Sequence, residues 1–501
     1  MIRRIKFLSF WLLAAGWVCL WGFQGIPDGG SKEVWMGLYI NQVKAGYQRF
    51  RTSSVFLEGK KHTMSRSESR ISVSRLGGSP VNLTTLQESW YDSRGNPVKV
   101  RVKTRMSQEE TVITAEVHPG HIVFEMQGET VKTVSVSEPV YFEVPLEKII
   151  DSGQLKSGFH AVYPMVDPVA YTVSDCKVEV IGRENVRILG KTRRLWHIRS
   201  VMESLVKITA DEWVDGRGRI FKSENRSGFI HTTALRMTKE RALDMPEESL
   251  DIAFSSVIRP DGILKSPRSI SWMKAELSGI PAQTAREWPE GESQRVTVHK
   301  DGSVSVSTAS RIFSAEKSVT LPVGGREFQP YLQSTRFCQA DDPEIIKTAE
   351  KILEGEKNAW KAAKKIALWI EEEITPSYDV GFASAREVLR NRLGDCSEHT
   401  VLFTALCRAA GLPARAAVGI MYGEDFFAYH MWPEVYAGEW IDLDPKWLGR
   451  DSETGELFTD ATHIKFGFSG LDKDIFREMA RAAAEVIGRL HIKIMDYGTR
   501  Q

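Results

Sequence analysis

Residues 394–415 read GDCSEHTVLFTALCRAAGLPAR. Asp395 is a good N-cap, and Glu398 stands three residues on, where the reciprocal acid of a capping box belongs. Val401, Leu402, Ala405, Leu406 and Ala409 continue one apolar helical pattern, which Gly411 stops and Pro413 closes off. The spacing predicts a helix whose first residue is Cys396. A thiol there faces backbone N–H groups and the positive end of the helix dipole. Both favour the thiolate, and the same N–H groups can hold an oxyanion. The expected thiol pKa is therefore below the ~8.5 of a free cysteine. Cys407 sits about 16 Å down the same helix and reads as core.

A thiolate needs a base, and the base needs an orienter. Downstream, residues 427–447 read FAYHMWPEVYAGEWIDLDPKW. His430 falls in a predicted strand, Gly438-Glu439 turns the chain back, and the return strand delivers Asp442 and Asp444 before Pro445 ends it. A hairpin of this kind sets an imidazole beside a carboxylate. Asp442 and Asp444 share a face by period two, so alternation does not choose between them.

Four motifs now stand in order: G-D-C-x-E-H at 394–399, R-A-A-G-x-P-A-R at 408–415, H-x-W-x-E-V-Y at 430–436 and D-P at 444–445. Together they resemble the bacterial branch of the transglutaminase-like superfamily, over roughly residues 341–460. The resemblance implies a papain-like Cys-His-Asp triad with Cys396 as nucleophile, His430 as base and Asp444 as orienter. The usual D-P-T is D-P-K here, with Lys446 outside the triad. It also implies an acyl-thioester formed at Cys396 from a peptide or carboxamide carbonyl, then hydrolysis or transfer to an amine. The triad does not separate the two outcomes. Hydrolysis of envelope material, with a protein or peptide as substrate, is the preferred expectation. The alternative is an envelope binding or assembly module whose β domain carries the function beside a relict triad. Alkylation of Cys396 near neutral pH discriminates the two.

The remaining candidates have simpler readings. His399 is a helix-face residue near the site, since a single C-x-x-H is poor zinc evidence. His463 reads as structural, and Trp432, Tyr436 and Trp440 as core. No cofactor and no metal is called for. DSETGE at 451–456 is too short for a calcium loop.

At 501 residues the chain is too long for one core. A net charge of +1 gives no electrostatic case for nucleic acid. Five sparse cysteines make no disulfide framework, though Cys176 and Cys338 stay open as a pair. Residues 1–33 read as a membrane anchor or signal segment. Arg3, Arg4 and Lys6 precede an apolar run from Phe7 to Phe23, and no small-x-small cleavage site follows it. An uncleaved anchor is favoured, with the body exported to the periplasmic side, or secreted if the segment is cleaved. Residues 34–240 alternate with period two and form an antiparallel β-rich domain. A W-x-D-x-R-G echo at 90–95 and 213–218 reads as one hairpin used twice. Residues 241–335 are a connector and small β region. Residues 336–501 make an α+β domain whose last elements are a helix at 472–488 and a strand at 489–497. The expected class is a multidomain chain, antiparallel β first and then papain/transglutaminase-like α+β.

Overall fold

The computed structural model describes residues 33–500 except 58, 75–80, 107–108, 138, 205–206, 228–229, 246–249, 252–256, 378–382, 424, 472–485 and 487–488. The apolar run at 7–23 and the helix expected at 472–488 lie outside the described residues. Among those residues, no helix is long and apolar enough to cross a membrane. The chain divides into two compact units at Asp251 and Ile252.

The first unit is a large antiparallel sheet made of two meanders. Among the described residues, eight strands run in sequence order from Glu33–Ile40 to Glu129–Ser135, and six more from His160–Asp167 to Ile230–Met237. The meanders join where Glu33–Ile40 pairs with Ile230–Met237, Leu38 opposite Ala234. A short strand, Leu250–Asp251, adds in parallel to Lys60–Ser74. The W-x-D-x-R-G echo is the same hairpin twice. Asp92 Oδ1 accepts from the N–H groups of Arg94 and Asn96, both at 2.8 Å, and Asp215 Oδ1 from those of Arg217 and Arg219 at 2.9 and 3.0 Å. Gly95 and Gly218 supply the positive φ of 78° that closes each turn. Alternation buries Val100, Val102, Ile113, Ile122 and Phe124 in one core.

Among the described residues of the second unit, four helices begin where the sequence caps them, beside a single turn at Ala282–Arg286. Asp342 starts α1 (Pro343–Leu353), Asn358 starts α2 (Ala359–Glu373), Ser384 and Glu387 box α3 (Ala385–Asn391), and Asp395 and Glu398 box α4 (Cys396–Ala409). α4 is buried at almost every position because it is apolar or small nearly all round; it packs against α1, α2 and α3. Phe403 and Trp360 lie wholly out of water, and burial of side chains this large contributes roughly 2–3 kcal/mol each.

The described residues of the unit also form two four-stranded sheets, beside two small two-stranded ones. One consists of β1 (Ile270–Ser278), β2 (Gln294–Val298), β3 (Val304–Ala309) and β8 (His491–Thr499), in the order β2-β3-β1-β8. The final strand therefore pairs with the region at 270–309, and both belong to the unit that carries α4. The other sheet consists of β4 (Ala414–Tyr422), β5 (Phe427–Tyr436), β6 (Trp440–Asp442) and β7 (Ile464–Ser469), in the order β6-β5-β4-β7. The overall class is thus an N-terminal antiparallel sheet followed by an α+β region.

Candidate active site

β5 carries His430 opposite Gly419 of β4. A Cβ at Gly419 would lie 1.9 Å from the carbonyl oxygen of Ile464 on β7, so only glycine lets β4 and β7 approach behind the histidine. On its other side, β5 offers the backbone of Met431 to α4. The Met431 N–H faces the Cys396 sulfur and favours its charged form. The Met431 carbonyl accepts one from Thr400 Oγ1 at 3.0 Å, and the same hydroxyl reaches the Cys396 carbonyl at 2.7 Å. The first turn of α4 is thereby stitched to the strand residue after His430. Gly394 makes room for the turn, because a Cβ there would meet the Glu398 Cβ at 2.1 Å.

The carboxylate is Asp444. His430 Nε2 bonds its Oδ2 at 2.5 Å, and both groups are buried. β6 ends at Asp442, so Asp444 lies beyond the ladder, with its N–H on Thr459 Oγ1 at 3.0 Å. Asp442 faces elsewhere: its Oδ1 accepts from Trp432 Nε1 at 2.7 Å and from Lys465 Nζ at 3.0 Å. Trp432 is fully buried, its ring 5.7 Å from that of His430. Other motif residues brace the frame. Arg408 donates to the carbonyls of Gln333, Ala414 and Gly470, and Arg415 pairs with Glu434 at 2.8 Å.

Electrostatics run against one expectation. Burial pushes the Cys396 thiol well above its usual pKa, and Asp395 adds to this; Lys446 and the Met431 N–H oppose it without prevailing. Burial also brings His430 down to about 4 against the upward pull of Asp444. The magnitudes explain the reversal. A helix end contributes typically 0.3–1 kcal/mol, about 2 at most. Burial of an ionisable group moves its pKa by up to 3–5 units at about 1.4 kcal/mol each. Both directions favour a neutral thiol beside a neutral imidazole. His399 Nδ1 sits 2.5 Å from the Asp395 carbonyl, and burial holds this ring near 4 as well. Cys176, Cys338, Cys396 and Cys407 are all free thiols.

One member of the site escapes sequence reasoning. His463, read as structural, places Nε2 3.2 Å from Asp444 Oδ2, while its Nδ1 is 3.0 Å from the Asp460 carbonyl. Burial alone would lower its pKa, but Asp460 and Asp444 raise it to about 9. The two imidazoles hold Asp444 far below the usual carboxylate range in spite of its burial, His430 contributing most. A histidine three residues after Asp460 in T-D-A-T-H was the available signal, but its target lies 19 residues back.

Donor atoms of His430, Asp444 and His463 fall within 4.8 Å of one another, the arrangement a metal would use. Two zinc ligands at ~2.05 Å in tetrahedral geometry stand about 3.3 Å apart. The 2.5 Å between His430 and Asp444 is closer than that, and His463 is held in its charged form by two carboxylates. These groups are arranged to bond one another through protons, and this donor set does not fit a metal as placed.

The titrations predict a stability optimum. His430 and His399 have lowered pKa values, so their contribution is present above ~6.5 and lost as pH falls toward 4. That of His463 is raised, so its contribution is full below ~6.5 and lost as pH rises through 9. Each is worth up to ~3 kcal/mol. Urea midpoints from pH 4 to 10 are expected to peak near 6.5; a midpoint still climbing between 7 and 9 would contradict the charged state of His463.

Residues 346–445 match the model of the transglutaminase-like superfamily, so the chain carries a transglutaminase-like domain there. An uncharacterized protein of Haemophilus influenzae is 31% identical over 130 residues, covering 25% of this chain and 34% of the relative. The chain thus spans about a third of the length of the curated relative it matches. A proposed cysteine protease from Cytophaga hutchinsonii superposes with a TM-score of 0.30 at 17% identity, over 46% of this chain and 91% of its own. A β-barrel-like domain of unknown function from Brucella abortus gives 0.31 at 11% identity, over 41% and 95%.

Proposed function

We propose that the chain is an extracytoplasmic cysteine enzyme that forms an acyl-thioester at Cys396 from a peptide or carboxamide carbonyl. The observation that carries the reading is the junction of α4 and β5. It sets the Cys396 sulfur on the N–H of Met431, next in sequence to a histidine whose Nε2 is held by Asp444. His430 Nδ1 is the ring's other nitrogen and takes the thiol proton as the sulfur bonds to the carbonyl carbon. The oxyanion collapses, the C–N bond breaks, and His430 returns the proton to the leaving amine. Water then attacks the thioester, with His430 again as base, and releases the acid; an amine acceptor would give transfer instead. Hydrolysis of envelope peptides is the preferred outcome. Membrane attachment through residues 7–23, with residues 34–501 outside the cytoplasm, belongs to the same reading.

The test is to trap the intermediate. The protein is mixed with envelope extracts or peptide amides, quenched in acid and weighed intact. A hydroxylamine-sensitive adduct that maps to Cys396 and is missing from Cys396→Ala is expected. An adduct elsewhere, or turnover that survives in Cys396→Ala, would sink the reading.

A further inference from the structure

The Asp444 carboxylate is not spent on one histidine. Its Oδ2 lies 2.5 Å from His430 Nε2 and 3.2 Å from His463 Nε2. The chain of contacts continues outward. The far nitrogen of His463 is 3.0 Å from the Asp460 carbonyl and 3.4 Å from Asp460 Oδ1. Asp460 Oδ2 pairs with Arg268 Nη1 at 2.8 Å, and its Oδ1 accepts from the Thr462 N–H at 2.8 Å and the Thr462 hydroxyl at 2.5 Å. Arg268 is itself braced: it bonds the Tyr422 carbonyl and lies 5.5 Å from the Trp447 ring. Asp444, Asp460 and His463 have almost no exposed side-chain surface, and Trp432 covers His463 edge-on at 5.0 Å.

We infer that His463 is a positioning residue of the Cys396 reaction: a buried imidazole that pins Asp444 from its second side and, through it, keeps His430 oriented as the base. The inference rests on the reading of Cys396, His430 and Asp444 as a triad.

Its physical content is a charge effect and a geometric one. An imidazolium 5.3 Å from the His430 ring, centroid to centroid, opposes protonation of His430. It also takes part of the Asp444 charge that would otherwise act on His430 alone. The groups facing His463 are Asp444, Asp460 and the His430 ring. Arg311, Asp442 and Lys465 line the same polar cavity beside it. Of these, Arg311 pairs with Glu439, and Lys465 with Glu434 and Asp442. Asp460, tied to Arg268, is the counter-charge that keeps His463 protonated.

The experiment uses the full chain and two readouts that need no substrate. One is the rate of Cys396 alkylation by iodoacetamide against pH, with sites read by peptide mapping. The other is the titration of histidine Cε1–H signals in ¹³C-histidine-labelled protein. His463→Gln keeps an N–H donor toward Asp444 but removes the charge. The acid limb of labelling should move up by about one pH unit from about 4, so that labelling falls roughly twofold at pH 5 and toward tenfold only below the limb, while labelling at pH 8 changes less than about threefold. The signal that disappears in this variant should titrate near 9 in wild type. His463→Ala, which removes the donor too, should lower labelling at every pH, and His463→Gln should recover the alkaline plateau.

If His463→Gln does not fold, Arg268→Gln acts on the same chain from its outer end and should move the limb in the same direction by less. A limb that stays in place, or an equal loss at all pH values with a lowered melting temperature, reduces His463 to a structural prop and overturns the inference. His430→Ala separates this from the triad reading. If labelling ignores His430 as well, the triad is at fault; if it depends on His430 but not on the charge of His463, only the present inference fails.

Discussion

Cys396→Ala is expected to remove turnover by at least about 10⁴-fold while leaving the fold intact. The scale is that of a nucleophile removed from a triad that works as a unit. Alanine fills most of the volume of a small buried side chain, and the bonds that dock the first turn of α4 on Met431 come from Thr400 and the backbone. Cys407→Ala is the matched control. That thiol is completely buried on the same helix, and its burial holds its pKa well up, so it should neither label nor contribute. Turnover on the substrate found by thioester trapping, with melting temperatures for both variants, decides the matter. Residual activity within about a hundredfold of wild type in Cys396→Ala would mean that another group performs the chemistry.

Asp444→Ala should cost roughly 10³–10⁴ in turnover, whereas Asp442→Ala should act on stability alone. Removing Asp444 leaves His430 without the acceptor that fixes its tautomer and ring angle, and leaves a second buried imidazole facing the gap. Removing Asp442 frees Trp432 Nε1 and one side of Lys465, which keeps Glu434. The comparison is sharp because the two acids are only two residues apart, Asp444 buried and Asp442 half-buried. Equal losses of activity in the two variants, or a larger loss for Asp442→Ala, would mean that the hydrogen bond between Asp444 and His430 does not serve the reaction.

Much of this frame is legible from local rules. The caps at Asp342, Asn358, Ser384 and Asp395 each start a helix where the side chain says so, because capping is settled within four residues. The hairpin carrying His430 is equally local. What the sequence does not show is set by distance and burial. Alternation leaves Asp442 and Asp444 equivalent; the ladder stops at Asp442, and only then do the two diverge. The direction of the thiol's titration depends on how completely water is excluded from the start of α4, which no motif records. The role of His463 depends on Asp460 and on Arg268, whose Nη2 also reaches Thr462, 194 residues away in the chain.

The pairing of β8 with β1 carries a consequence of timing. Each meander of the first sheet is made of neighbours in sequence and can assemble as it leaves the ribosome; only the join of Glu33–Ile40 with Ile230–Met237 and the short strand Leu250–Asp251 wait for distant partners. The sheet beside the thiol domain cannot. Ile270 must wait for Thr499, and Arg268 must wait for Asp460, before either has its partner. A nascent chain therefore carries a helix with a cysteine at its head well before it owns the clamp around Asp444. Reactivity at Cys396 should appear abruptly, only once residues 460–499 have been made and paired.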